Sequence, residues 1–178
     1  HESRIQYAFS LETGKYLWET KPQTYADAWT DSPGFEKVVA YDRLYTASLG
    51  GVVYCYDIKD GKLLWNYTVD DPYTESYITN NWWLIITFVS DGKLYLGHME
   101  HSALEPKPRG APFLCLNATD GSLIWRIDGA FRQTRWGGRG IIGDSVIATM
   151  DTYDQRVYAI GKGPSAITLS APDIAVPA

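Results

Sequence analysis

Apolar and polar residues alternate along most of this chain, and short turn sequences interrupt the alternation at regular places. In "VVYCYDIKDGKLLWNYTV" (residues 52–69), apolar or aromatic residues recur at alternate positions on both sides of "KDGK". A period of two is typical of a half-buried strand, and two such strands joined by a tight turn form a hairpin. Gly61 stands where the turn needs a positive φ, which glycine adopts at no steric cost. The segment therefore predicts a β-hairpin.

The same hairpin is written three times, as "YAFSLETGKYLW" (7–18), "YCYDIKDGKLLW" (54–65) and "LCLNATDGSLIW" (114–125). A degraded fourth copy, "VYAIGKGPSAITL" (157–169), has lost the tryptophan. Internal repetition at this period is typical of solenoids, propellers and arrays. The aligned columns hold the turn glycines Gly14, Gly61 and Gly121, the tryptophans Trp18, Trp65 and Trp125, and the small residues Ala8, Cys55 and Cys115.

Two further strands are predicted before each hairpin. "YDRLYTASLGG", "SDGKLYLGHME" and "IGDSVIATMDT" each offer a turn and a strand, and "EKVVAY", "WWLIITFV" and "GRGIIG" each add another. Four short antiparallel strands per repeat form a propeller blade. We predict an all-β fold, a partial β-propeller of about four four-stranded blades, in which each repeated tryptophan lies between neighbouring blades and joins them.

The domain organisation follows from the repeats. Residues 1–163 would form about 3.5 to 4 blades of a larger ring, and residues 164–178 a terminal strand and linker. An incomplete ring leaves sheet edges exposed. We therefore expect either a longer polypeptide or a protein partner or second copy that completes the propeller.

Composition narrows the function classes. A formal net charge of -5 argues against sequence-independent binding of nucleic acid, which needs clustered Lys and Arg. The longest apolar stretch, residues 82–89, is too short for a membrane-spanning helix. Cys55 and Cys115 occupy equivalent places in different repeats, too far apart for a disulfide, so we interpret both as small buried hydrophobic residues. Sequons at Asn66 and Asn117 would carry glycans only in a secreted protein.

The repeat "YCYDIKDGKLLW" resembles that of the pyrroloquinoline-quinone (PQQ)-type propellers, from about Ile5 to Ile167. The closing segments look like the C-terminal blades of archaeal surface proteins of this family. The family includes quinoprotein alcohol dehydrogenases, an outer-membrane assembly scaffold and many surface proteins, so the resemblance implies the fold more than the function. The adjacent Cys-Cys pair of many of those enzymes is missing, and we expect no cofactor.

Three functions remain open. We favour a non-catalytic scaffold or recognition module, secreted or on the cell surface, that binds a partner through blade-end loops. The alternative is half of a PQQ-dependent dehydrogenase for alcohols or sugars, with PQQ and calcium as cofactors and Arg135 and Trp136 beside the quinone. The third is a carbohydrate-binding or self-assembling surface subunit. No GxSxG, HExxH or phosphate-binding glycine loop supports other enzyme classes.

Candidate ligand residues cluster in "FRQTRWGGRG", where arginines surround an indole. Guanidinium groups beside an indole suit a carboxylate ligand such as the quinone or an acidic sugar. Salt bridges to Asp128, Asp144 or Glu105 are the structural alternative, which we favour. Trp82 of "NNWW" could stack on a sugar, although Trp82 and Trp83 would face opposite sides of a strand and one would be core. The candidate ligand-binding residues are Arg132, Arg135, Trp136, Arg139 and Trp82.

A metal site is a second hypothesis, because "GHMEHS" places His98, Glu100 and His101 close together. Imidazole and carboxylate are ligands for zinc or copper. On a strand, His98 and Glu100 would share one face while His101 would point to the other. We therefore favour structural hydrogen bonding for these residues, within a binding face that also includes Arg132, Arg135 and Trp136.

Overall fold

The computed structural model describes residues 5–23, 37–47, 50–70, 82, 84–99, 112–128, 132–133, 139–151 and 154–163. Within these ranges every regular element is a strand, and no helix is long and apolar enough to cross a membrane. The strands are β1 (Tyr7–Phe9), β2 (Tyr16–Glu19), β3 (Lys37–Ala40), β4 (Arg43–Ala47), β5 (Val52–Asp57), β6 (Leu63–Thr68), β7 (Leu84–Ser90), β8 (Lys93–Met99), β9 (Phe113–Asn117), β10 (Leu123–Ile127), β11 (Arg132–Gln133), β12 (Ile141–Gly143), β13 (Val146–Asp151) and β14 (Arg156–Ile160). The all-β prediction is confirmed.

The strands form four sheets in chain order. Sheet 1 is β1–β2, sheet 2 is β3–β4–β5–β6, sheet 3 is β7–β8–β9–β10 with β11 beside β8, and sheet 4 is β12–β13–β14. Neighbouring strands are antiparallel except β11, which pairs with β8 in parallel. Sheets 2 and 3 contain the predicted four-stranded meander. Sheets 1 and 4 have two and three strands in the described residues, fewer than the four predicted for each blade.

Each sheet has a turn end and a loop end. The turn end carries the tight turns, and Gly61 and Gly121 adopt φ values of 70° and 74° there, as their repeated positions predict. The side chain of Asp57 accepts a hydrogen bond from Lys59 N (2.8 Å), and Asn117 does the same for Thr119 N (2.8 Å). Such Asx turns explain why Asp or Asn precedes the glycine by four residues. The loop end is the opposite end, where the longer connections leave the sheets.

The core lies between successive sheets, face to face. Between sheets 2 and 3, Tyr45, Val53 and Cys55 pack against Leu84, Leu96 and other aliphatic side chains of sheet 3. A second cluster, which includes Tyr95, Phe113, Cys115 and Ile147, joins sheets 3 and 4. Trp18, Leu44 and Tyr56 join sheets 1 and 2. Each sheet therefore contacts the next one along the chain, as blades of a propeller do.

Candidate functional site

The repeated tryptophans lie against glycines of the following sheet. A Cβ atom built on Gly61 would lie 2.5 Å from Cε3 of Trp18, and one built on Gly121 would lie 2.6 Å from Cε3 of Trp65. Real Cβ atoms do not approach so closely, so only glycine fits under each ring. The indole Nε1 of Trp18 also donates to the Ile58 carbonyl oxygen (3.0 Å). The Trp18 ring on the Gly61 turn joins sheet 1 to sheet 2, and the Trp65 ring on the Gly121 turn joins sheet 2 to sheet 3.

At the contact between sheets 2 and 3, Tyr45 and Arg43 donate hydrogen bonds beside Trp65. The Ala118 carbonyl oxygen, in the β9–β10 turn, accepts from Trp65 Nε1 (3.3 Å), Tyr45 OH (3.0 Å) and Arg43 Nη1 (2.9 Å). Arg43 also donates to the Thr119 carbonyl oxygen. We call Arg43, Tyr45 and Trp65 the donor triad. It satisfies a turn carbonyl that would otherwise be buried without enough partners.

The two cysteines are inert at neutral pH. Cys55 and Cys115 are 0% exposed and unpaired, which confirms the prediction that they are buried hydrophobic residues. Burial raises the pKa of each thiol from 9.0 to about 11. The thiolate is the nucleophilic and metal-binding form, so neither cysteine supplies that chemistry.

At the loop end the structure brings three predicted site residues together. His98 is 0% exposed, and its ring meets the Trp82 ring edge-on at a centroid distance of 5.3 Å. The backbone of Arg132 pairs with that of His98. Trp82 is itself 1% exposed, so its ring belongs to the core and offers no open face to a sugar. The burial of Trp82 agrees with the expectation that one tryptophan of the pair is core.

The other predicted ligand residues are only partly described. Arg139 is exposed just before β12, while Arg135 and Trp136 lie outside the described residues, as does Glu105. The Asp128 carboxylate accepts from Arg126 Nε at 2.7 Å, so Arg126 is a partner that the sequence reasoning did not name for it. Asp144 lies in the β12–β13 turn, at the opposite end of the sheets from β11. The carboxylate site around these arginines remains a prediction.

The metal hypothesis also remains open. Among the described residues, no group of three or more His, Cys, Asp or Glu side chains is arranged to hold a metal ion. His98 is among the described residues and is fully buried, whereas Glu100 and His101 lie outside the described residues. Only one of the three proposed ligands therefore has a described position.

A buried polar network at the loop end was missed by the sequence reasoning. Gln23 Nε2 donates to Thr46 Oγ1 (2.7 Å) and to Tyr56 OH (3.0 Å), and Gln6 Nε2 donates to Gln23 Oε1 (3.4 Å). Gln6 N donates to Thr20 Oγ1 at 3.0 Å. The network joins sheet 1 to sheet 2, so Gln23 is a structural residue. Its only signal in the sequence is a pair of glutamines flanking the first hairpin.

The sequons differ in environment. Asn66 lies exposed on β6, the outermost strand of sheet 2. Asn117 is half-buried, and its amide oxygen holds the Asx turn beneath Trp65. Of the two, only Asn66 presents its side chain openly to solvent.

The family is decided by a sequence profile. The profile described as "Outer membrane protein assembly factor BamB", a PQQ-repeat family, matches residues 1–105, more than half of the chain. The chain belongs to this family. None of the curated proteins compared with it matches significantly. The predicted membership of the PQQ-like repeat family is thus confirmed.

Solved propellers share the fold of this BamB-family chain. BamB from Moraxella catarrhalis aligns at a TM-score of 0.54 and 15% identity, covering 88% of this chain and 46% of that one. The quinohemoprotein alcohol dehydrogenase from Comamonas testosteroni aligns at 0.50 and 14% identity, covering 90% and 32%. The chain therefore spans about half the length of one propeller and a third of the other. The predicted β-propeller fold is confirmed.

Proposed function

We propose that this BamB-family chain is part of a non-catalytic propeller scaffold that binds a protein partner through the loop end of its blades. The observation that carries the proposal is the asymmetry between the two ends. The turn end is built from short Asx turns fixed by glycine and tryptophan, whereas strands at the loop end are joined by long connections. Binding surfaces are commonly carried on such connections, held in place by a rigid scaffold.

The chemistry of the described loop end supports a recognition role. Trp82 and His98 are buried against each other and stabilise the end of sheet 3. Arg139 is exposed just before β12, and arginine is enriched where proteins meet. An exposed guanidinium is suited to bidentate pairing with a partner's carboxylates.

The family also favours this role, because the matching profile carries the name of an assembly factor. A secreted or cell-surface location, and a glycan at Asn66, belong to the same proposal. So does completion of the ring by further blades or by another chain. A glycan ligand has less support, because the Trp82 ring is buried.

The competing proposal is half of a PQQ-dependent dehydrogenase, favoured by the shared fold with the Comamonas enzyme. Arg135 and Trp136 would then lie beside the quinone, with calcium as its counter-ion. The test is to incubate the purified full-length polypeptide with PQQ and calcium and then remove unbound quinone. We expect neither retained quinone absorbance nor alcohol-dependent dye reduction. Both signals together would contradict the scaffold proposal and support the dehydrogenase proposal.

Partner binding is tested by site-specific photocrosslinking in the source cells. A photoreactive amino acid replaces Arg139 at the loop end or, as the matched control, the exposed Lys59 at the turn end. We expect one discrete high-mass adduct from position 139 and none from position 59. Equal labelling from both positions, or from neither, would contradict loop-end binding.

A further inference from the structure

Three Asp–Gly steps lie in described turns: Asp60–Gly61, Asp91–Gly92 and Asp120–Gly121. At such a step the glycine nitrogen can attack the side-chain carboxyl carbon of the aspartate, because glycine has no side chain to hinder the approach. A C–N bond forms, water leaves, and the resulting succinimide takes up water again at either carbonyl to give aspartate or isoaspartate. The reaction is an isomerisation that needs no oxidant, reductant or co-reactant beyond water.

The steps at Asp60 and Asp120 are held within their own turns. The Asp60 carboxylate accepts from Lys62 N and the Asp120 carboxylate from Ser122 N, both at 2.9 Å. The glycine nitrogen of each step donates to the carbonyl oxygen four residues earlier, again at 2.9 Å, and a tryptophan ring lies over each glycine. Closing the five-membered ring at either step would break both hydrogen bonds beneath a packed indole.

The reacting atoms of the Asp91–Gly92 step are held instead by two side chains at the surface. The Asp91 side chain is 86% exposed and its carboxylate is paired with Lys93 Nζ. Gly92 N donates to the hydroxyl of Tyr41, a half-exposed residue in the β3–β4 turn of sheet 2, at 2.9 Å. A Cβ atom built on Gly92 would meet nothing within 4 Å, so no packed group covers this step as the tryptophan rings cover the other two.

The two surface contacts slow the reaction in different ways. The hydrogen bond from Lys93 lowers the pKa of the Asp91 carboxyl. The ionised carboxylate therefore predominates at neutral pH, and it is a poorer electrophile than the protonated acid. Attack also requires the peptide unit between Asp91 and Gly92 to rotate towards the side chain, which breaks the hydrogen bond to Tyr41.

We propose that Asp91 is a site of spontaneous isoaspartate formation, and that Tyr41 slows this modification by holding the nitrogen of Gly92. The site lies at the turn end, so the proposal is independent of partner binding at the loop end. The modification would affect a contact between blades. Isoaspartate adds one carbon atom to the main chain of a two-residue turn, and the Gly92 carbonyl oxygen of that turn accepts from Ala118 N (2.9 Å). The Ala118 carbonyl oxygen is the acceptor of the donor triad, so displacement of this turn would loosen the interface between sheets 2 and 3.

The test compares the full chain with Tyr41→Phe and with Tyr16→Phe as the matched control, because Tyr16 is also 52% exposed but lies in sheet 1. The folded proteins are kept at neutral pH for several weeks, and isoaspartate is detected by enzymatic methylation and located by peptide mapping. We expect isoaspartate at position 91 before positions 60 and 120. Its formation should be at least about threefold faster in Tyr41→Phe, which loses one hydrogen bond, and unchanged in Tyr16→Phe. In urea the three steps should react at similar rates.

Three results would overturn the proposal. They are an equal rate at position 91 in Tyr41→Phe and the parent, earlier reaction at Asp60 or Asp120 in the folded chain, and no reaction at Asp91 in either folded protein while the sample in urea reacts. The form that carries isoaspartate at position 91 can be separated by chromatography. We expect it to unfold at a lower temperature than the unmodified chain, and an unchanged unfolding temperature would refute the link to the interface between sheets 2 and 3.

Discussion

The interface between sheets 2 and 3 and the interface between sheets 3 and 4 contain equivalent tyrosine and tryptophan side chains, but these side chains make different contacts. On one side Trp65 covers Gly121, and three donors meet the Ala118 carbonyl oxygen. On the other, Tyr95 and Trp125 keep their mutual geometry but line a cleft. At the second interface the same aromatic pair packs against Ile147 and Ile142 of sheet 4. In the described part of the chain, the contact of a tryptophan ring with a turn glycine and a turn carbonyl is seen between sheets 2 and 3.

The largest expected effect is at the glycine beneath the ring. Gly121→Ala should lower the free energy of unfolding by about 4 kcal/mol, because a left-handed backbone is strained for alanine and its Cβ would overlap the Trp65 ring. Urea denaturation measures the loss. It tests directly whether the turn closes the sheet 2–sheet 3 interface.

Gly14→Ala is the matched control for this substitution. Gly14 has a similar φ of 68°, but a Cβ there would meet nothing within 4 Å. Only the backbone strain remains, so the loss should be about 1 kcal/mol. If Gly14→Ala and Gly121→Ala were equally destabilising, ring contact would contribute nothing and the comparison would fail.

The next largest difference in stability is expected between variants of Arg43 and Lys93, which begin the equivalent strands β4 and β8. Arg43→Met should cost about 1.5 to 2 kcal/mol, because Arg43 donates charge-assisted hydrogen bonds to the carbonyls of Ala118 and Thr119. Lys93→Met removes only a pair with the exposed Asp91, which solvent screens, so it should cost clearly less stability than Arg43→Met. Thermal unfolding of the two variants side by side distinguishes them. A larger loss for Lys93→Met would mean that the cleft is closed in solution.

Removing the hydroxyl of Tyr45 or of Tyr95 should give a smaller difference in stability. Tyr45→Phe should cost about 1 kcal/mol, because its hydroxyl bonds the Ala118 carbonyl in a fully buried position. The Tyr95 hydroxyl interacts with the Cys115 thiol, a weak acceptor, so Tyr95→Phe should cost less than about 0.5 kcal/mol. Chemical denaturation resolves this gap if the slopes of the transitions are unchanged. Equal costs would show that Tyr95 has found a stronger partner.

Alkaline pH should weaken both interfaces in the same sense. Burial raises the pKa of Cys55 and of Cys115 from 9.0 to about 11, and that of Tyr45 from 10.0 to about 12. A raised folded-state pKa contributes stability that is complete below the unfolded-state pKa and is lost as pH rises through the folded-state value. Stability should therefore fall from pH 9 towards pH 12. Cys55→Ala and Cys115→Ala should each flatten the early part of this fall, and an unchanged profile in both would refute the assignment to the thiols.

The sequence was sufficient for elements that depend on local geometry. The repeated glycines predicted the hairpin turns, and the alternating residues predicted β3 and β12 within the segments named for them and β7 to within one residue of its segment. These features are set by backbone conformation and by the two-residue period of strands, which a single segment reveals.

Contacts between repeats were harder to predict. Nothing local shows that Arg43 reaches a carbonyl in sheet 3, or that Gln23 reaches Thr46 and Tyr56, because each contact depends on how two sheets are placed. The candidate site was only partly predictable for the same reason. The sequence offered His98 and Trp82 as candidate ligand residues while favouring a structural role for His98 and a core position for one tryptophan of the pair. Their full burial follows from sheet 3 packing, which the segment alone does not specify.

The contact of each tryptophan with the next glycine has a consequence for how the molecule unfolds. Sheet 1 supplies the ring that covers sheet 2, and sheet 2 supplies the ring that covers sheet 3, so each unit is stabilised chiefly by its neighbour. Such a molecule behaves as a linear array with nearest-neighbour coupling. Amide hydrogen exchange should then be slowest in sheets 2 and 3 and faster at either end of the array, in sheets 1 and 4. Cooperative unfolding in this protein would then depend on the coupling between adjacent blades, which each tryptophan contact provides.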